Sequence, residues 1–128
     1  MTQTENLAIA EAWVAFSNQQ DLNNLQAVTA EPLELIGPRG AGLINRQELA
    51  EWMVRANLTL ATNARYAKDE FVVFQQEGTW FNTDGSIKGQ ATVFTVLKII
   101  NGKVSFLARY DQQAEAFAIS GLSAADQV

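Results

Sequence analysis

The stretch IINGKVSFLARYD, residues 99–111, combines a turn signal with two runs of residues that are typical of β-strands. Asn101 and Gly102 stand between the runs, and a type I′ turn needs positive φ at both central residues, which Asn-Gly tolerates. The stretch therefore predicts a β-hairpin. Its second strand ends in three polar residues, Arg109, Tyr110 and Asp111, which are the first candidates for a functional site.

The sequence before this hairpin has a strand-like pattern from Leu58 onward. Strands are predicted at 58–68, 71–81, 90–100 and 103–110, because runs rich in β-branched and aromatic residues alternate there with polar turns. The connections are short, so the last three strands are predicted to form an antiparallel meander.

The N-terminal part of the chain has a helical pattern instead. Ile9, Trp13 and Phe16 are spaced as one stripe of an amphipathic helix, which Thr2 or Thr4 would cap. A second, short helix is predicted over 22–28, with Asp21 as its N-cap.

A short strand at 33–36 is expected to lead into a loop at 37–42. The next helix has the clearest start signal in the chain, because Asn45 and Glu48 form a capping box, and it should end near Ala56. A closing helix is predicted over 112–119, capped by Asp111, and the residues 121–128 are expected to fray. The 128 residues are predicted to form one domain.

The composition excludes several kinds of function. The chain has no cysteine and no histidine, so we expect no disulfide, no thiolate or transition-metal site and no serine-histidine triad, and we predict no cofactor. The formal charge of −5 comes from scattered acids, which argues against a nucleic-acid partner. No signal peptide and no membrane span are recognisable, so a cytoplasmic protein without a membrane partner is expected.

Helices followed by an antiparallel sheet indicate an α+β fold. The sequence resembles the nuclear transport factor 2-like superfamily, also called SnoaL-like or ketosteroid isomerase-like, which has a cystatin-like fold. The likeness covers nearly the whole chain and is carried by AIAEAWVAF at 8–16 with Asp21-Leu22, GPRG at 37–40, NRQEL at 45–49, NGKV at 101–104 and ARYD at 108–111. The resemblance implies a cone in which helices pack on a curved antiparallel sheet, an enclosed apolar pocket, and frequent homodimers.

The resemblance also implies catalytic positions that can be compared one by one. Ketosteroid isomerases place a tyrosine, an aspartate before a proline and a late-strand acid where this chain has Trp13, Gly37 and Thr95. Glycine cannot accept a proton, so an isomerase reaction of that kind has no base. Epoxide hydrolase-like members use two carboxylates and an arginine, and Glu77, Asp111 and Arg109 are the candidate catalytic residues for such an arrangement.

Two interpretations of Arg109 stay open. It could bind a carboxylate or carbonyl group of a ligand in the pocket, or it could pair with an acid such as Glu77 while Asp111 caps the last helix. Glu77 lies on the same parity as Val73 and Gln75, so it is a candidate acid or base only if that parity faces the pocket.

The function expected from these observations is the binding of a small apolar molecule. The candidate ligand-binding residues are Trp13, Phe16, Trp52, Met53, Trp80 and Thr95, although aromatic residues at such spacings more often form a core. A small enzyme using Glu77 or Asp111 with Arg109 is one alternative. A dimeric association module, with the cavity filled by Trp13 and Trp52, is the other.

Both faces of the predicted strand 90–100 are apolar, whereas a strand with one wet face should alternate. The helices were expected to cover only one face, so a second copy of the chain is the expected cover for the other. Phe94 and Val96 are therefore the candidate residues of a homodimer interface.

Overall fold

The computed structural model describes residues 2–37 and 40–128, and its helices and strands follow the α+β order expected from the sequence. They are α1 (Gln3–Asn18), α2 (Leu22–Ala27), β1 (Thr29–Gly37), β2 (Gly40–Ile44), α3 (Arg46–Ala56), β3 (Leu58–Lys68), β4 (Phe71–Phe81), β5 (Ile87–Ile100), β6 (Lys103–Tyr110), α4 (Gln113–Ser120) and a 3₁₀ turn at Ala124–Asp126.

The strands form a single sheet in the order β2-β1-β6-β5-β4-β3. The segment from β3 to β6 is the expected antiparallel meander, but β1 pairs with β6 in parallel, so the sheet is mixed and not antiparallel throughout. The pairing of β1 with β6 joins the first strand of the chain to the last, a long-range contact that no local turn signal reveals. Register shifts interrupt four of the five strand pairs, and such irregularities bend strands.

The helix starts largely follow the capping signals. Thr2 accepts a hydrogen bond from the backbone N–H of Glu5 at the start of α1, and Asp21 caps α2. The capping box of α3 is present in full, with Asn45 and Glu48 each accepting a hydrogen bond from the other's backbone N–H. These ends could be predicted because a side-chain cap satisfies donors that the helix itself leaves free.

Two local predictions were wrong. The glycines after residue 37 do not form a loop as far as 42, because Gly40–Ile44 pairs with β1 as an antiparallel strand; residues 38 and 39 of that prediction lie outside the described residues. Asp111 does not cap the last helix, which begins one residue later with Gln112 in the N-cap position and no side-chain hydrogen bond there.

The tail is ordered, unlike the expectation of fraying. Gln127 bridges to Tyr66, and the backbone N–H of Val128 donates to the carbonyl of Arg65. Leu122 is also buried. These contacts attach the end of the chain to the free edge of β3, where backbone groups would otherwise have no partner.

Two apolar cores lie on opposite faces of the sheet. The inner face, which we define as the one that packs on α1, carries the larger core, including Trp13, Phe74, Leu97 and Leu107. The side-chain amide of Asn18 holds α1 against this face by exchanging two hydrogen bonds with the backbone of Leu60.

The outer face is covered by α4 of the same chain. Its core consists of Tyr66, Val73, Phe94, Val96, Phe106, Ala108, Ala116 and Leu122, and α4 contacts β4, β5 and β6. Phe94 is 9% exposed and Val96 is fully buried within the single chain. The premise of the predicted homodimer interface, that helices cover one face only, was therefore wrong.

No helix in the described part of the chain is long and apolar enough to cross a lipid bilayer.

Candidate functional site

A row of polar side chains crosses the apolar inner face. Thr62, Gln76, Thr95 and Arg109 come from β3, β4, β5 and β6 in turn, and we call them the polar row. The sheet brings them together because Thr62 pairs with Gln76 and Thr95 pairs with Arg109 across neighbouring strands. Gln76 and Thr95 have no solvent exposure, so their polar atoms depend on partners within the protein.

Each member of the polar row donates a hydrogen bond to the next, starting at Arg109 and ending at Thr62. Nε of Arg109 donates to Oγ1 of Thr95 over 3.4 Å, and the Thr95 hydroxyl donates to Oε1 of Gln76 over 2.7 Å. Nε2 of Gln76 then donates to Oγ1 of Thr62 over 3.1 Å. A guanidinium has no acceptor atom, so Arg109 can only be the donor at its end of the row.

Arg109 is a half-buried cation without a carboxylate partner among residues 2–37 and 40–128. Its guanidinium carbon lies 5.6 Å from the centre of the Trp52 ring of α3, which is the distance of a cation-π contact. Burial lowers the pKa of Arg109 to about 10, so the side chain is still a cation at neutral pH. Its side-chain contacts to Trp52 and Thr95 are both with neutral groups.

The other two candidate catalytic residues are elsewhere. Glu77 follows Gln76 on β4 and therefore points to the opposite face, where it is exposed and accepts a hydrogen bond from Thr92 over 3.2 Å. Asp111 is exposed beyond the end of β6. The structure thus does not bring Glu77 or Asp111 together with Arg109, and the pairing of Arg109 with Glu77 is excluded.

The aromatic candidates differ in what they do. Trp13 is completely buried, and its indole N–H donates to Thr29 over 2.9 Å, so it fills the core and has no donor left for a ligand. Phe16 is partly buried against the same core, and Met53 is buried within it. Trp52 is the aromatic residue that contacts Arg109.

Trp80 lies against the backbone of its own strand. A Cβ atom on Gly78 would lie 3.1 Å from Cη2 of the Trp80 ring, closer than side chains normally pack. The glycine therefore allows the ring to lie flat on β4 beside Leu58.

Sequence reasoning missed Gln76 and Thr62. Gln76 shares its parity on β4 with Val72 and Phe74, so a polar residue in an otherwise apolar row was a signal that could have been used. It was overlooked because both faces of β4 carry apolar residues, and the parity alone does not identify the inner face.

The polar row can bind an anion, but it offers no group that could remove a proton from a substrate. Its members are two hydroxyls, an amide and a guanidinium, none of which is a base at neutral pH. In the described part of the chain, no three histidine, cysteine, aspartate or glutamate side chains are grouped so as to hold a metal ion.

A shallow surface depression of about 500 Å³ lies on the exposed side of α3. It is lined by Ala50, Glu51, Val54 and Arg55, none of which belongs to the polar row or to the predicted site residues. Because it is wide open to solvent, we do not assign it a ligand.

Comparisons with solved structures identify the fold. A protein from Cytophaga hutchinsonii described as NTF2-like and of unknown function matches with a TM-score of 0.71 and 11% identity, over 88% of this chain and 94% of that one. The protein has the nuclear transport factor 2-like fold. No protein family model and no curated protein matches the sequence.

Two further matches with this fold contain small molecules. TerC, co-crystallised with polyporic acid, has a TM-score of 0.69 and 14% identity over 91% of this chain and 97% of its own. A protein from Catenulispora acidiphila with a ketosteroid isomerase-like fold, in complex with trimethylamine, has a TM-score of 0.65 and 20% identity over 91% and 95%. At these identities the nuclear transport factor 2-like likeness establishes the fold and not the activity.

Proposed function

We propose that the protein binds a small apolar molecule that carries an acidic group, and that Arg109 is the anchor for that group. The observation that carries this proposal is a cation held in place by Trp52 and Thr95, with no acid beside it in the described chain. A half-buried charge without a partner loses part of its hydration, and an anionic ligand would offset that cost.

The surroundings of Arg109 support the apolar part of the ligand. Trp52 is half-buried on one side of the guanidinium, and the inner-face core continues from there through Leu49 and Met53. The fold is known to hold small organic molecules, since TerC was crystallised with polyporic acid and another match with trimethylamine. The unpaired arginine favours an acid over an amine in this chain.

Two fluorescent probes with the same aromatic body provide the test. The first, 8-anilinonaphthalene-1-sulfonate, carries an anionic group, and the second, N-phenyl-1-naphthylamine, does not. We expect the protein to bind the sulfonate probe more tightly, and Arg109→Met to remove most of that preference. Arg55→Met is the matched control, because Arg55 is exposed on α3. Equal binding of the sulfonate probe by Arg109→Met and the unaltered protein would contradict the proposal.

Association between copies of the chain is a second candidate function, favoured by one observation. Trp13 is completely buried and fills the inner-face core, as expected for a domain whose cavity has no ligand. Native mass spectrometry of the purified protein distinguishes the two functions, because one spectrum reports the number of subunits and any retained small molecule. A retained acid supports ligand binding, and a ligand-free dimer supports association.

A further inference from the structure

We propose that Gln76 and Thr95 are positioning residues that hold Arg109 as a fixed donor and make the site select hydrogen-bond acceptors. This inference rests on the proposed function. It assigns to the polar row a specificity: the site would take the deprotonated form of an acid, such as a carboxylate or an enolate, and discriminate against the corresponding alcohol or amide.

Two acceptor atoms of the polar row receive hydrogen bonds from other members of the row. Oγ1 of Thr95 accepts from Arg109, and Oε1 of Gln76 accepts from Thr95. Both residues are completely buried, so water cannot easily replace these bonds. Each oxygen keeps a second lone pair, but neither residue is exposed, so a ligand group that must donate a hydrogen bond has no access to these acceptors.

The guanidinium of Arg109 keeps N–H donors that do not bond to Thr95. The Thr95 contact uses Nε of Arg109, and the two terminal amino groups have no hydrogen-bond acceptor in the described chain. Paired N–H groups of a guanidinium match the two oxygens of a carboxylate. The Trp52 ring lies 5.6 Å from the guanidinium carbon, so a ligand is expected to approach from the side away from that ring.

The amide at position 76 has a role that a carboxylate could not fill. A glutamate there could also accept the hydrogen bond from Thr95, but its carboxylate would place a negative charge near Arg109. That charge would serve as an internal counter-ion and would compete with an anionic ligand. Gln76 supplies the acceptor without the charge, which leaves the charge of Arg109 available.

The main test compares Thr95→Val with Thr95→Ser, using the same two probes. Thr95→Val keeps the side-chain shape but removes the hydroxyl, and we expect about tenfold weaker binding of the sulfonate probe from the loss of the hydrogen-bond partner. Thr95→Ser retains the hydroxyl and should bind as the unaltered protein does. Thr92→Val is the control for the substitution, since Thr92 is exposed and bonds to Glu77.

The uncharged probe separates positioning from structural damage. N-phenyl-1-naphthylamine should bind Thr95→Val within about twofold of the unaltered protein, because its binding uses no charge on Arg109. Gln76→Glu should weaken the binding of the sulfonate probe more than Thr95→Val does. It should leave the binding of the uncharged probe unchanged. If Thr95→Val does not fold, Gln76→Met replaces it, because it removes the acceptor that orients Thr95.

The outcomes distinguish this inference from the proposed function. If Arg109→Met removes the preference for the sulfonate probe but Thr95→Val and Gln76→Glu do not change it, the inference is overturned and the anchor remains. Equal weakening of both probes by Thr95→Val also overturns it, because the residue would then act through the fold. If Arg109→Met has no effect, the proposed function fails first.

Discussion

Arg109 shows how far residue-level reasoning reaches in this sequence. Its position at the end of an apolar strand marked it as a candidate, but its partner could not be predicted, since Glu77 and Gln76 are neighbours and point to opposite faces. Which face is the inner one depends on α1, and neither strand parity nor composition reveals that where both faces are apolar.

Binding of the sulfonate probe should respond to pH through Arg109. The chain has no histidine, so we expect constant affinity from about pH 6 to 8 and a decline as the pH approaches the pKa of Arg109, about 10. A binding titration at several pH values measures this, with the uncharged probe as the control. A midpoint near neutral pH would show that another group controls binding.

The same pKa shift has a defined sign for stability. Burial lowers the pKa of Arg109 in the folded protein to about 10, below its ordinary value, so the unfolded chain binds more protons between the two pKa values. The folded state therefore gains stability from this group as the pH rises through about 10, and below that pH the buried cation opposes folding. The proposed anionic ligand would relieve this opposition at neutral pH.

Trp13 should matter for stability and not for binding. Trp13→Phe removes a buried ring edge and the hydrogen bond to Thr29, which we expect to lower the free energy of unfolding by about 2 kcal/mol. Urea unfolding measures this loss, and Trp52→Phe at a half-buried position should cost less. An equal affinity of Trp13→Phe for the sulfonate probe would agree with its core position.

At the scale of elements, the sequence was most informative where a local signal determined the structure. The bounds of β3, β4 and β6 and the capping box of α3 all agree with the prediction, because turn residues and caps act over a few positions. The predictions failed where distant parts of the chain meet: β1 is longer than expected, β2 forms where a loop was expected, and α4 covers a face that had no predicted cover.

A single charged residue in its buried face should weaken the packing of helix α4 on the sheet. Ala116 lies on α4 and is completely buried against the outer face of the sheet. Ala116→Glu should therefore lower the free energy of unfolding by about 3 kcal/mol or release the helix from the sheet. Ala118→Glu is the matched control, because Ala118 is exposed on the same helix. Light scattering should detect association of Ala116→Glu through the uncovered face, and identical behaviour of both variants would contradict this role of α4.

At the scale of the whole molecule, each face of one sheet has its own core within one chain. The homodimer stays a prediction, and if it forms, the buried position of Phe94 argues against a direct contact there. The fold could be recognised from the sequence because its signals extend along nearly the whole chain. The site could be recognised only in part, because the polar row joins four strands that the sequence does not align.

Whether Phe94 lies in the core or at a subunit interface can be tested by measuring how the stability of a Phe94 variant depends on protein concentration. Phe94→Asp should reduce the free energy of unfolding by about 3 kcal/mol, because a charge replaces a ring packed within the outer-face core. Burial by α4 makes this loss independent of concentration, whereas an interface residue would show a loss that varies over about a hundredfold range of protein. Urea unfolding at both ends of that range distinguishes the two cases.

The two cores also differ in their chromophores. All three tryptophans, Trp13, Trp52 and Trp80, belong to the inner-face core or pack against it, and both tyrosines, Tyr66 and Tyr110, belong to or pack against the outer-face core. Tryptophan fluorescence therefore reports on the side that holds Arg109, and tyrosine absorbance reports on the side under α4. One unlabelled sample therefore gives a separate signal from each core, so a difference in their unfolding would be detected directly.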